Sequence, residues 1–437
     1  MEFSLVLSGQ LACNALCSYC SATGISPEDF KRKGCKKEDY GKPKWDWGAL
    51  KKIFDTNPII KEHINHPEKT LTVNFWGSEP LLWTKECDKY TDWIDKNYPT
   101  LKYQLFISTN GMLFGAKHIQ EWIYKEHEKH KLQLQLSHDG LGQYIRTKHF
   151  DPLYDERTKD FVVKLAKDGI LNMINATLNN FNCSPIANKA YFDKWRFDNG
   201  LEKKDILIKL NHNNDAEYTL DYKLTGENLR RYIHEMELLW QQSYLTDAGW
   251  NPENYTNQLW HSYSGYFRNQ MTRWQPFASY GGCAQFSRGE KDWTWCCNSL
   301  GEYVFCQLCN NNEDNPNPTV EQGPECKDCE YHDMDDCHGC PDMVFANHCE
   351  YKKEYMRLVL RMKQFCAIVD NFRNERGILY SKLNQLTNQK CNCNNNKPNM
   401  EYLKGCTQDN GASTGICNSC VGNNFTVWSK ARERYDC

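Results

Sequence analysis

The chain has 437 residues, 53 basic against 56 acidic for a net charge of −3, with 40% hydrophobic and 13% aromatic residues. That balance argues against a broadly basic nucleic-acid binder and supplies enough apolar material for a core in a chain of roughly three domains' length. No run approaches the roughly 18 apolar residues of a membrane helix, and the N-terminus lacks the basic region and long apolar core of a signal peptide, so a cytoplasmic protein with no membrane or nucleic-acid partner is expected.

Six strand candidates follow in order: Phe3–Ser8, Leu71–Trp76, Tyr103–Ser108, Leu132–Ser137, Leu171–Leu178 and Ile206–Asn211. Each is a short apolar or alternating run, mostly closed by Gly, Asn or Asp. Amphipathic stretches at Trp83–Tyr98, Ala116–Lys129, Glu156–Lys167 and Glu227–Tyr244 predict helices, the last with Leu229, Tyr232, Ile233, Met236 and Leu239 at helical spacing. Repeated strand-then-helix units imply parallel strands with right-handed crossovers. The fold class is therefore α/β, a partial (β/α)6 TIM-like barrel over residues 1–245, two units short of the eight-fold form.

Residues 246–276, rich in Trp, Tyr and Asn, read as a bridge, and 277–350 as a loop-rich cysteine domain. Within the latter, Trp293–Cys297 and Glu302–Cys306 flank a turn signal and predict a hairpin. Residues 351–388 hold a C-terminal helix over Glu354–Phe372, with Tyr355, Leu358, Met362, Phe365 and Val369 on one face. Residues 389–437 are an Asn- and Cys-rich tail of low expected order, open to reading as a further metal site or an attached substrate peptide.

Cysteine is the unusual component, with 23 in the chain. The density is below that of a small disulfide scaffold, and a reducing cytosol makes metal binding the commoner use of such thiols. One group is N-terminal: Cys13, Cys17 and Cys20 stand as C-N-A-L-C-S-Y-C directly after the first strand. Three thiolates this close can grip one face of a [4Fe–4S] cube and leave one iron open. A zinc site with a remote fourth ligand is the plainer alternative. A lipoprotein cleavage site at Leu11-Ala12-Cys13 is opposed by the missing basic region.

The triad with Tyr19 resembles the CxxxCxΦC signature of the radical S-adenosylmethionine (SAM) enzymes, in which Φ is aromatic. Further motifs support the resemblance. Trp76-Gly77-Ser78-Glu79-Pro80, after the second strand, is similar to the family's GGEP, with Ser78 for the second glycine. Glu79 offers a carboxylate for the SAM amino group, and Gly77 permits close backbone approach. Ser108-Thr109-Asn110-Gly111, after the third strand, resembles the TNG turn beside SAM. Ser137-His138-Asp139-Gly140, after the fourth, resembles S-L-D-G of the peptide-modifying branch, with a downstream arginine, Arg146. His138 replaces the leucine and the Ser-to-Arg interval is short. The resemblance implies that Ser137 meets the SAM ribose and Arg146 its carboxylate. Tyr19, Gly77, Ser78, Glu79, Ser108, Asn110, Ser137, Asp139 and Arg146 are thus the expected cofactor-binding residues. All follow strand ends, the face that carries barrel active sites.

The second cysteine set is Cys283, Cys296, Cys297, Cys306, Cys309, Cys326, Cys329, Cys337, Cys340 and Cys349. Its paired C-x-x-C units also suit zinc ribbons. Its order, with Gly301 ahead of Cys306, resembles the SPASM domain that follows many radical SAM barrels, although several intervals differ. The resemblance implies one auxiliary [4Fe–4S] cluster on Cys326, Cys329, Cys337 and Cys349. A second falls on Cys283, Cys306 and Cys340, with Cys296, Cys297, Cys309 or no further cysteine completing it. Gln307 follows Cys306, where sulfatase-maturing members carry a proton-accepting aspartate; an amide is no general base at neutral pH.

The function implied is reductive SAM cleavage to a 5′-deoxyadenosyl radical and oxidation or cross-linking of a residue in a peptide or protein, with a reductant such as flavodoxin or ferredoxin. Alternatives are a radical SAM dehydrogenase or epimerase acting on a small molecule or carbohydrate, and a zinc-organised binding module. The chain opens on its first strand with no preceding domain to capture a leader peptide, which weakens the link to leader-dependent maturases. His63, His66, His127 and His130 lie in charged segments and read as solvated. Lys31–Lys37 reads as a solvated basic loop, and Cys87 and Cys183 as buried thiols.

Overall fold

Every apolar run singled out as a strand in the first half becomes one, and all lie in a single parallel sheet. The computed structural model describes residues 4–8, 13–15, 17, 19, 45–76, 79–202, 205–212, 222, 224–245, 294–298 and helical positions scattered through 350–368. The strands are β1 (Ser4–Ser8), β2 (Thr70–Trp76), β3 (Lys102–Thr109), β4 (Gln133–Ser137), β5 (Leu171–Leu178), β6 (Leu207–His212) and β7 (Thr294–Asn298). Their order across the sheet is β6-β5-β4-β3-β2-β1-β7, every neighbouring pair parallel.

Helices connect the strands as parallel pairing requires. They are α1 (Trp47–Thr56), α2 (Pro58–Asn65), α3 (Thr84–Asn97), α4 (Lys117–His130), α5 (Gln143–Arg146), α6 (Lys159–Lys167), α7 (Pro185–Asp198) and α8 (Gly226–Leu245). Local chemistry sets the starts. Asp46 accepts from the Ala49 N–H at 2.9 Å, Asn57 from Ile59 and Ile60 at 3.0 Å each, and Ser184 from Ala187 at 3.0 Å. Asn57 and Ser184 each precede a proline, which suits a first helical position.

The two faces of the sheet differ sharply. Leu71, Val73, Phe75, Leu105, Ile107, Leu134, Leu136, Ile174, Ala176, Leu178, Ile208 and Leu210 are buried on the face the helices cover. Burying each large side chain contributes about 2 kcal/mol. Phe75 shows the packing, meeting Trp83 edge-on at 5.7 Å and Tyr90 at 5.8 Å. The alternate residues are partly exposed and mostly polar: Thr72, Asn74, Gln104, Ser108, Gln135, Ser137, Asn175 and Thr177, with Phe106 and Leu207 as apolar exceptions. A closed eight-fold barrel fills this face with branched apolar side chains; here it carries amides and hydroxyls, such as Gln104 to Thr72 at 2.9 Å and Gln135 to Ser108 at 3.1 Å.

One expectation needs correction. Trp293–Cys297 was expected as one arm of a hairpin inside the cysteine domain. Instead β7 joins the barrel sheet parallel to β1, with Cys296 opposite Val6 and Cys297 opposite Leu7. A short β-prone run declares that it pairs but not with what, so a non-local partner is not legible in it. The other arm, 302–306, lies outside the described residues.

The chain divides into two compact units, Met1–Met362 and Lys363–Cys437. Within the first, the C-terminal helical positions include Leu358 and Met362, both buried, and Arg361, whose guanidinium grips Glu237 of α8 at 2.8–3.1 Å. In the second, 364, 365 and 368 are helical. No helix among the described residues is long and apolar enough to cross a membrane.

Candidate active site

The segment after β1 packs its small and aromatic residues inward: Ala15, Cys17 and Tyr19 are buried against Ile145 of α5, with Cys13 and Met112 beside them. Asp139, immediately after β4, ties this segment to the sheet. Its Oδ2 accepts the Tyr19 hydroxyl, and its Oδ1 accepts from Arg146 Nη2 and from the Thr177 N–H, both at 3.0 Å. The Arg146 guanidinium lies 5.6 Å from the Tyr19 ring centre and points Nη1 at the Cys17 sulfur, 3.8 Å away. Burial works against the Arg146 charge, but Asp139 prevails and holds its pKa well above the usual value. Burial likewise pushes the Tyr19 phenol well up, so it stays a hydrogen-bond donor.

Glycine makes this approach possible. Gly140 has φ of +58°, and a Cβ there would lie 2.4 Å from Asn188 Oδ1. His138, fully buried, receives the Gly140 N–H on Nδ1 at 2.9 Å and meets Asp151 through Nε2 at 2.8 Å. That pattern makes Nδ1 the acceptor and turns Nε2 to the carboxylate. The histidine that replaces the expected leucine is a brace for the turn.

Glu79 is buried at the end of β2. It accepts the Thr109 hydroxyl and the Asn110 N–H, both at 2.7 Å, and the Leu81 N–H at 3.3 Å. Desolvation dominates these bonds and pushes its pKa up to about 7. Asn110 then reaches back to the cysteine segment, donating to Asn14 Oδ1 at 2.8 Å and toward Cys13 Sγ at 3.7 Å. Ser108 and Ser137 lie at the adjoining strand ends, Ser137 opposite Asn175 of β5.

The structure thus gathers Cys13, Cys17, Tyr19, Glu79, Asn110, Asp139 and Arg146 at the C-terminal ends of β1 to β4. Cys20, Gly77 and Ser78 lie outside the described residues, as do Cys283, Cys306, Cys309, Cys326, Cys329, Cys337, Cys340 and Cys349, Gln307, the basic loop and the tail. Thr109 and Asn14, inside the quoted motifs but given no role there, are structural partners of Glu79 and Asn110. Thr177 and Asn182, which hold Asp139 from β5 and its loop, carried no signal. Two of the four histidines read as solvated are not: His63 and His130 are buried. His63 bonds the Ile59 carbonyl through Nδ1, while His130 sits between Glu126, Asp95 and Tyr103. Cys87 and Cys183 are buried thiols, as expected.

The donor set fits the implied groups. N–H donors face two cysteine sulfurs, the buried Arg146 Nε meets no acceptor, and Glu79 contacts no cation among the described residues. Arg146 acts on Glu79 only through space, and a buried carboxylate with no cation in direct contact suits a cationic amino group.

No family model matches the chain, and no curated protein matches it in sequence. Similar solved structures include native anSMEcpe, an anaerobic sulfatase-maturating radical SAM enzyme, with bound AdoMet: TM-score 0.54, 15% identity, covering 85% of this chain and 100% of that one. The same protein with AdoMet and the Cp18Cys peptide gives 0.51 at 15% identity, covering 85% and 99%. With the Kp18Cys peptide it gives 0.54 at 14%, covering 85% and 100%. The chain therefore shares the fold of these structures, and the resemblance read from its motifs agrees with that fold.

Proposed function

We propose that the protein is a radical SAM enzyme that oxidises or cross-links a residue of a peptide or protein. One observation carries this reading: on a fold shared with AdoMet-bound structures, a buried carboxylate with no cation in direct contact among the described residues and two cysteines faced by N–H donors meet at the C-terminal end of a parallel sheet. In this reading Cys13, Cys17 and Cys20 hold a [4Fe–4S] cluster. Glu79, with Gly77 and Ser78, receives the SAM amino group. Ser108 and Asn110 border the cofactor, Ser137 meets the ribose and Arg146 the carboxylate, while Asp139 fixes Arg146 and Tyr19. Cluster and SAM together supply a 5′-deoxyadenosyl radical that takes a hydrogen atom from the substrate.

The peptide substrate is supported by the neighbours, two of which hold peptides. Cys326, Cys329, Cys337 and Cys349, and Cys283, Cys306 and Cys340, are the ligands proposed for two auxiliary [4Fe–4S] clusters in a SPASM-like domain over residues 277–350. Gln307 cannot accept a proton at neutral pH, which argues against formylglycine formation. The product is then a cross-linked or desaturated residue, lighter by the hydrogens lost. The test is anaerobic incubation with SAM, a flavodoxin or ferredoxin reductant and candidate peptides, read by mass spectrometry. Formylglycine from a sulfatase-type peptide, or turnover of a sugar or nucleotide alone, overturns it.

A further inference from the structure

The polar face of the sheet carries one feature that no SAM motif uses. Lys209 lies on β6, opposite Asn175 of β5, which lies opposite Ser137 of β4. Residues in register across parallel strands share a face, and strands sit about 4.8 Å apart, so Lys209 stands about 10 Å from Ser137 along one row. Its neighbours Ile208 and Leu210 are buried on the helix-covered face, while Lys209 shares the face of Gln135, Ser137 and Asn175. Lys102 has the same parity on β3 but is exposed at that strand's far end. Among the described strand residues, Lys209 is the charged side chain set within the polar face.

No carboxylate meets Lys209 among the described residues, and no hydrogen bond accounts for its ammonium. Burial alone pushes its pKa down. A half-buried ammonium with no carboxylate against it among the described residues is placed to take its counter-charge from a ligand. Two arginines of the neighbouring elements are used elsewhere. Arg146 is bound to Asp139, and Arg196 of α7 donates to the Ile206 carbonyl and pairs with Asp193.

We propose that Lys209 anchors a carboxylate of the substrate, an acidic side chain or the C-terminal carboxylate of a peptide, across the polar face from the SAM-binding strand ends. The proposal rests on the radical SAM reading for what happens at those ends, and it adds the substrate class. Pairing keeps the lysine charged and directs the bound segment along the β4–β6 row. A carboxylate is favoured over a neutral amide because an ammonium has only donors to offer.

The test uses the anaerobically purified full chain and a panel of fluorescent Cys- or Ser-centred peptides. Each is made with Asp or Asn beside the central residue, and with a free or amidated C-terminus. Binding is read by anisotropy for wild type, Lys209→Met and Lys209→Arg. Wild type should favour one carboxylate form over its amide by about tenfold, the size of one charge-assisted bond. The favoured arm identifies the side chain or the terminus as the source. Lys209→Met should lose the preference and Lys209→Arg keep most of it. Lys209→Met should also unfold at a temperature no lower than wild type, because no structural partner is lost. Equal binding of both forms by wild type, a preference retained by Lys209→Met, or a loss confined to SAM affinity measured by equilibrium dialysis overturns the anchor. Failure of wild type to cleave SAM sinks the radical SAM reading instead, and leaves the peptide preference to be judged separately.

Discussion

At the scale of the residue, Asp139 has the most to lose. It is fully buried and holds the Arg146 guanidinium, the Tyr19 hydroxyl and the Thr177 N–H together. Asp139→Asn leaves Arg146 buried without a counter-charge and should cost about 3–5 kcal/mol in urea unfolding. Tyr19→Phe removes one neutral donor and should cost about 1 kcal/mol. Glu79 predicts a pH dependence of the metal-free protein. Burial raises its pKa from 4.5 to about 7, so the folded state binds this proton more tightly than the unfolded state. Its contribution is present below about pH 4.5 and is lost as pH rises through about 7, a change of about 3 kcal/mol. Thermal unfolding from pH 5 to 8 should show the decline, and Glu79→Gln should flatten it. SAM affinity should rise over the same interval, since the ionised carboxylate pairs with the ammonium; equilibrium dialysis at pH 6 and 8 checks this.

At the scale of the element, six strands were legible as short apolar or alternating runs; in β2, helix-facing Leu71, Val73 and Phe75 alternate with Thr72 and Asn74. Helix α7 was not singled out, although it is as long as α4. Its buried set includes Asn188 and Arg196, which bond the Asn182 and Ser184 carbonyls and the Ile206 carbonyl. Polar residues on an inward face blur the apolar spacing on which the reading depends. The turn after β4 is a second case. S-H-D-G looked like a motif with one wrong letter, yet His138 braces that turn through Gly140 and Asp151. Gly140→Ala sets a Cβ against Asn188 in a left-handed backbone and should cost at least about 2 kcal/mol in denaturant unfolding. The same variant should loosen Arg146, read as lower iron retention after anaerobic reconstitution.

At the scale of the whole molecule, the proposed inventory is three clusters, and the cysteine sets can be separated. Changing Cys13, Cys17 and Cys20 together to Ala should remove about one third of the iron and all SAM cleavage, because each cube is an independent thiolate-held unit. Loss of all the iron, or survival of cleavage, counts against that inventory. Gln307→Asp should leave SAM cleavage near the original rate, measured as 5′-deoxyadenosine by chromatography, since that position lies outside the SAM motifs.

By itself the sequence determined the parallel α/β class, the positions of six strands and the four motifs at their ends. Those features are local: alternation, turn residues and short spacings are written within a few consecutive positions. Only the tertiary structure decided that β7 pairs with β1, that Asp139 accepts the Tyr19 hydroxyl of the cysteine segment, and that Lys209 lies in one row with Ser137. Each of these joins residues far apart in the chain, where the partner is chosen by strand order and burial and no nearby residue records the choice.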